Sequence, residues 1–232
     1  MEKVPTGNQE LDSLLGGGLP KGGIVLIAGG PGTGKTILAT QYLYLGATLY
    51  NEPGLLVSFG ESSQRLRDYM TTLGWDLDAQ IKDGKLTIVD LITARAGALE
   101  ATVNMITEKV RETGARRLVI DSITALSLAS EKRIDSRILV SLLHKTLEKA
   151  GCTTLLVTET PWGSSGIGTG VEEFVADGII LMEIFLEGAE YKRRLAIVKM
   201  RGTAHDTRRY KYMITKGSGI SIIPYPEASA SS

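Results

Sequence analysis

The chain has 232 residues, 43% of them hydrophobic and 22% charged, an ordinary globular composition with length for one large domain or two small ones. Lysine plus arginine equals aspartate plus glutamate at 26 each, which excludes a net charge that would pull the molecule toward nucleic acid or an anionic membrane. The single Cys152 excludes an internal disulfide, MEKVPTGNQELD lacks the apolar core of a signal peptide, and the apolar runs fall short of the ~20 residues that span a bilayer, so a reducing cytoplasm and no membrane are expected.

Short Val-, Ile- and Leu-rich runs alternate with stretches of helical period, the pattern of strands buried between helices in an α/β sheet. In chain order, IVLIAG from Ile24 predicts a strand and Thr36 to Tyr50 a helix. GLLVSFG from Gly54 is the second strand, followed by a helix from Ser63 to Leu73 with Ser62 or Ser63 as its cap. KLTIVDL from Lys85, RLVIDS from Arg117 and TTLLVTET from Thr153 complete the core strands, with helices at Leu99 to Thr113 and Asp135 to Ala150. Gly114 and Gly151 stand where a helix end favours positive φ. The final third reads as antiparallel strand pairs, turning at Glu187-Gly188 and at Lys216 to Gly219. One domain over 1–224 and a disordered tail over 225–232 are expected.

Between the first strand and its helix, Gly29 to Thr36 spells GGPGTGKT, a complete G-x-x-x-x-G-K-[ST] in the context its mechanism requires. The glycines turn backbone N–H groups toward phosphates, Lys35 reaches the terminal ones, and Thr36 offers a hydroxyl to Mg2+. Gly30, Pro31, Gly32, Thr33, Gly34, Lys35, Thr36 and Ile37 are thus the candidate ATP contacts. RLVIDS ends in Asp121, the second candidate for the metal, but Ser122 follows where many ATP-splitting enzymes place a glutamate. The strand GLLVSFG, expected to neighbour the phosphate loop, runs into GESSQRL and puts Glu61 at the sheet edge where ligands bind. Glu61 is the candidate for polarising the attacking water; the competing reading is a carboxylate favouring the next helix start. His144 and Cys152 have no further ligand at metal spacing, and Trp75 reads as a packing residue.

TGNQELDSLLGGGLPKGG, GGPGTGKT, VSFGES, LGWDL, LVIDSITAL, TTLLVTET, GVEEFVADGIILM and VKMRGTAHD follow one another as they do in the KaiC-like branch of the RecA superfamily, which the chain resembles from Thr6 to about Pro224. The resemblance implies a RecA-like P-loop NTPase fold and an ATPase with its hydrolytic glutamate at Glu61. Relatives pair two glutamates there, whereas this chain has Gly60-Glu61, which leaves slow or altered hydrolysis open. It also implies a homo-hexameric ring in which Lys199, Met200, Arg201, Thr203 and His205 act on the neighbour's ATP, while Thr72 and Thr215 line base and sugar. Self-phosphorylation is not expected, because Glu173 and Phe174 occupy the positions of the Ser-Thr pair that some relatives modify.

Two other function classes stay open. A recombination or repair modulator would bind single-stranded DNA through SLASEKRIDSR and TPWGSSGIGTG, which hold Lys132, Arg133 and Arg137 against Glu131 and Asp135, and the single aromatic Trp162. YKRR from Tyr191 and RRYK from Arg208 offer a further basic patch or a solvated strand face. A non-hydrolysing nucleotide sensor docking unidentified protein partners is the third class.

Overall fold

The computed structural model describes residues 1–91, 99–124, 135–161 and 175–223. Among them, the apolar runs form β3 (Ile24–Gly29), β4 (Gly54–Ser58), β5 (Leu86–Asp90), β6 (Arg117–Asp121) and β7 (Thr153–Glu159), parallel to one another and, apart from the outermost β5, buried almost throughout. Their side chains divide by alternation. Val25 and Ile27 face a core shared with α2 (Lys35–Leu49), while Ile24 and Leu26 face a core shared with α5 (Leu99–Thr113) and α6 (Asp135–Ala150).

β8 (Gly178–Glu187) lies parallel to β3 on its other side, and from it the sheet continues antiparallel through β9 (Glu190–Met200), β10 (Arg209–Thr215) and β11 (Gly219–Ile222). The sheet order is β11-β10-β9-β8-β3-β7-β6-β4-β5. The α/β architecture with a mostly parallel centre and antiparallel C-terminal strands therefore holds. One expectation does not: β4 is separated from β3 by β7 and β6, because the later strands insert between them. That insertion opens a crevice at the carboxyl edge, between the loops after β3 and β4.

Local chemistry sets the helix ends. Ser62 caps α3 (Ser63–Thr72) by accepting from Arg65 N at 3.3 Å, and Gly114 (φ 62°) and Gly151 (φ 67°) terminate α5 and α6. Elements absent from the sequence reading are the short strands β1 (Lys3–Val4) and β2 (Leu19–Pro20), and the one-to-two-turn helices α1 (Gln9–Leu14) and α4 (Leu77–Lys82). Arg117 is fully buried at the start of β6, where its Nε meets Glu52 at 2.6 Å, its guanidinium lies 4.6 Å from the Tyr42 ring centroid, and Nη1 donates to the Tyr42 carbonyl. These contacts tie the phosphate-loop helix to the sheet.

Candidate functional site

β3 delivers the chain to the loop at Gly29, where any Cβ would stand 2.3 Å from the Met182 carbonyl of β8, so the close approach of two strands requires glycine. Gly34, with φ 88°, turns the chain into α2. Lys35 Nζ donates to the Gly30 carbonyl at 3.0 Å, as does the Thr33 hydroxyl at 2.9 Å. The Thr36 hydroxyl donates to Asp121 Oδ2 at 2.6 Å, joining the loop to the end of β6. A hydroxyl and a carboxylate are hard oxygen donors, the set that suits Mg2+.

Glu61 reaches the same place from β4. Ser58 Oγ donates to the Glu61 carbonyl at 2.7 Å and accepts from Glu61 N at 3.1 Å, pinning the turn that carries it. Its Oε2 is sealed from solvent without a hydrogen bond, and Arg65 Nε stands 3.5 Å away as an ion-pair partner. Glu61, Lys35, Thr36, Gly32, Gly34 and Ile37 line the polar end of a cavity of about 450 Å³. Leu66, Tyr69, Met70, Thr72 and Leu73 of α3 and its end form the other, mostly apolar part.

Burial pushes the Asp121 carboxyl up, opposed by the Thr36 hydroxyl and the Lys35 ammonium. It pushes Lys35 down, opposed first by Glu159 and then by Asp121. Both charges have thus lost water, so a bound polyphosphate and cation would restore what folding removed.

The remaining candidates are elsewhere. Thr215 pairs with Gly219 and shares a hydrogen bond with Ser221 outside that cavity, although Gly217 of its hairpin donates to the Leu73 carbonyl at 2.6 Å. Lys199 pairs with Ile179 and the buried Met200 with Gly178, alongside the start of β3. Arg201 meets Asp177, Thr203 accepts from Lys3, and His205 Nδ1 lies 3.2 Å from the Thr203 carbonyl with Nε2 buried and without a partner. About 17 Å of strand, at ~3.3 Å per residue over Ile24 to Gly29, separates this group from the phosphate loop of its own chain.

Sequence reasoning missed four contributors. Arg193 of β9 donates through Nε to the Gly32 carbonyl at 3.1 Å, and Tyr212 of β10 donates to the Thr33 carbonyl. Glu159, paired with Gly29 in the sheet, stands near enough to act on Lys35 and Asp121, and Tyr69 lines the cavity. The basic strand segments carry ion pairs: Lys192 pairs with Glu187 and Glu190, Arg194 with Glu183, Arg208 with Asp206 and Lys211 with Glu187. Most of both loops of the DNA reading, 127–134 with Lys132 and Arg133 and 162–170 with Trp162, lies outside the described residues, as do Glu173, Phe174 and the tail. Among the described residues no helix is long and apolar enough to cross a membrane.

The family model described as the KaiC ATPase matches residues 4–227. The chain is 34% identical to a UPF0273 protein of Methanocaldococcus jannaschii, over 98% of each chain, and 36% identical to a UPF0273 protein of Thermotoga maritima, over 97% of each. It is 36% identical to the circadian clock oscillator protein KaiC of Thermostichus vulcanus over 97% of its own length, spanning 44% of that protein. Among solved structures, the KaiC-like protein of Pyrococcus horikoshii superposes with a TM-score of 0.87 at 38% identity, covering 96% of this chain and 99% of that one.

Proposed function

Because this chain belongs to the KaiC family of ATPases and has their RecA-type fold, we propose that it binds MgATP at the phosphate loop and hydrolyses it to ADP and phosphate. The observation that carries this reading is the cavity in which Glu61, arriving from β4, faces Lys35 and Thr36, arriving from β3. The loop amides, the α2 N-terminus and Lys35 hold the phosphates. Thr36 and Asp121 hold Mg2+, which when bound neutralises charge building on the terminal phosphates. Glu61 orients and polarises the attacking water, a role that suits a carboxylate whose Oε2 has no hydrogen bond and only the Arg65 ion pair beside it. Tyr69, Thr72 and Leu73 give the base and sugar an apolar wall.

The site is shared in this reading. Lys199, Arg201 and His205 lie at the far end of the sheet from their own loop, and a homo-hexameric ring presents them to the nucleotide of the next subunit in the cytoplasm. The hairpin that carries Thr215 touches the end of α3 through Gly217 N–H and the Leu73 carbonyl, which sets Thr215 beside the cavity rather than in it.

Lys35→Ala is expected to abolish ATP binding, and Glu61→Gln to leave binding intact while turnover falls at least about a hundredfold. Calorimetric titration with ATP and phosphate release at steady state read the two effects. Normal turnover in the Glu61→Gln protein would remove Glu61 from the reaction.

A further inference from the structure

Asp177, the residue before β8, has a partner at each side-chain oxygen and at both backbone groups. Its backbone N–H donates to the Ile24 carbonyl at 2.8 Å, its Oδ2 accepts from Ile24 N at 3.0 Å, and its carbonyl accepts from Arg201 N at 2.8 Å. Oδ1 accepts from Arg201 Nη1 at 3.3 Å. The second partner of Oδ2 is His144 Nε2, 3.0 Å away on α6. A carboxylate only accepts, so Nε2 carries the proton.

The exposures are unequal. The Asp177 side chain is 16% exposed and that of Arg201 52%, so a nearly buried carboxylate meets Nη1 of a half-exposed guanidinium, and the same Nη1 lies 3.5 Å from the Val175 carbonyl. An exposed ion pair adds little to stability, but fixing the fork of an arginine at one angle matters wherever that arginine must meet a phosphate. His144 gives Oδ2 a second donor beside Ile24 N, and it does so from α6.

We propose that Asp177, braced by His144, is the positioning residue for Arg201, and that α6 thereby sets how the arginine is presented to the neighbouring subunit's ATP. This rests on the shared-site reading of Arg201. No bond changes in Asp177 or His144; they act only through the geometry of the guanidinium.

Steady-state ATPase kinetics on the full chain test it, beginning with the wild type and Arg201→Ala. In Asp177→Asn, one side-chain oxygen can still accept from Ile24 N while the amide no longer grips the guanidinium, and kcat should fall about tenfold with KM for ATP nearly unchanged. His144→Leu should show a smaller fall of the same kind, and His144→Gln, whose amide N–H can replace Nε2–H, should restore it. Neither Asp177→Asn nor His144→Leu should cost anything further in the Arg201→Ala background.

Losses that add to that of Arg201→Ala, a loss confined to KM, or no rescue by His144→Gln would overturn the positioning role and leave the shared site standing. An unchanged kcat in Arg201→Ala overturns the shared site and the positioning role together, and a wild type without turnover overturns the ATPase reading itself. If Asp177→Asn fails to fold, the His144 pair decides the matter, because it leaves the Ile24 hydrogen bonds in place.

Discussion

Cys152, just past the end of α6, is wholly buried, and burial pushes its thiol up to about 12. At pH 8 the reactive thiolate is then on the order of one part in ten thousand, even before access is counted. The native protein is expected to resist a maleimide at pH 8 and to take up one equivalent only in denaturant, as read by intact mass; rapid native labelling would contradict the burial. Individual residues differed in how legible they were. Lys35, Thr36 and Asp121 could be read because a loop that binds polyphosphate needs those types at that spacing, next to a strand end. Arg193 and Glu159 could not, since nothing in YKRR or VTET says which side chain faces the loop; only strand pairing brings them there. His144 was equally opaque, because its partner lies thirty-three residues on in a different element.

At the level of elements, the hairpin of β10 and β11 is held against α2 and the end of α3 by Trp75. The indole stacks on Tyr44 at 5.6 Å between centroids, donates to the Gly217 carbonyl at 3.1 Å, and leaves no space for a Cβ at Gly219. Trp75→Ala is expected to cost about 3–5 kcal/mol, and Trp75→Phe, which keeps a ring but loses the N–H, about 1–2 kcal/mol. Urea unfolding followed by circular dichroism checks both; a change below about 1 kcal/mol in the alanine variant would show that the hairpin is held by other contacts. The core strands could be read because burial on both faces leaves an unbroken apolar run, and Gly188 (φ 63°) marked the β8–β9 turn. Their order could not: the position of β4 beyond β6 and β7 depends on crossovers that no local pattern encodes. The helices α1 and α4 escaped because six residues are too few to establish a period, although Asn8 and Asp76 cap them in the ordinary way.

For the whole molecule, the proposed shared site, with its cavity and its trans-acting side chains at opposite ends of one sheet, makes a specific demand. Glu61→Gln disables the cavity of a subunit but not what it presents to its neighbour, and Arg201→Ala does the reverse. In the proposed ring each variant alone should turn over well below wild type, whereas an equal mixture, dissociated and reassembled, should recover roughly a quarter of wild-type sites. Mixing followed by phosphate release measures this; no recovery from two well-assembled partners would mean that each chain completes its own site. The sheet also gives every copy a polarity. If the shared-site proposal holds, the carboxyl edge accepts and the amino edge donates, so copies in a row have a head and a tail and every junction reads in the same sense. A row left open idles one edge at each end, while a row that closes idles none, so on that proposal the closed ring is the arrangement in which every copy both gives and receives.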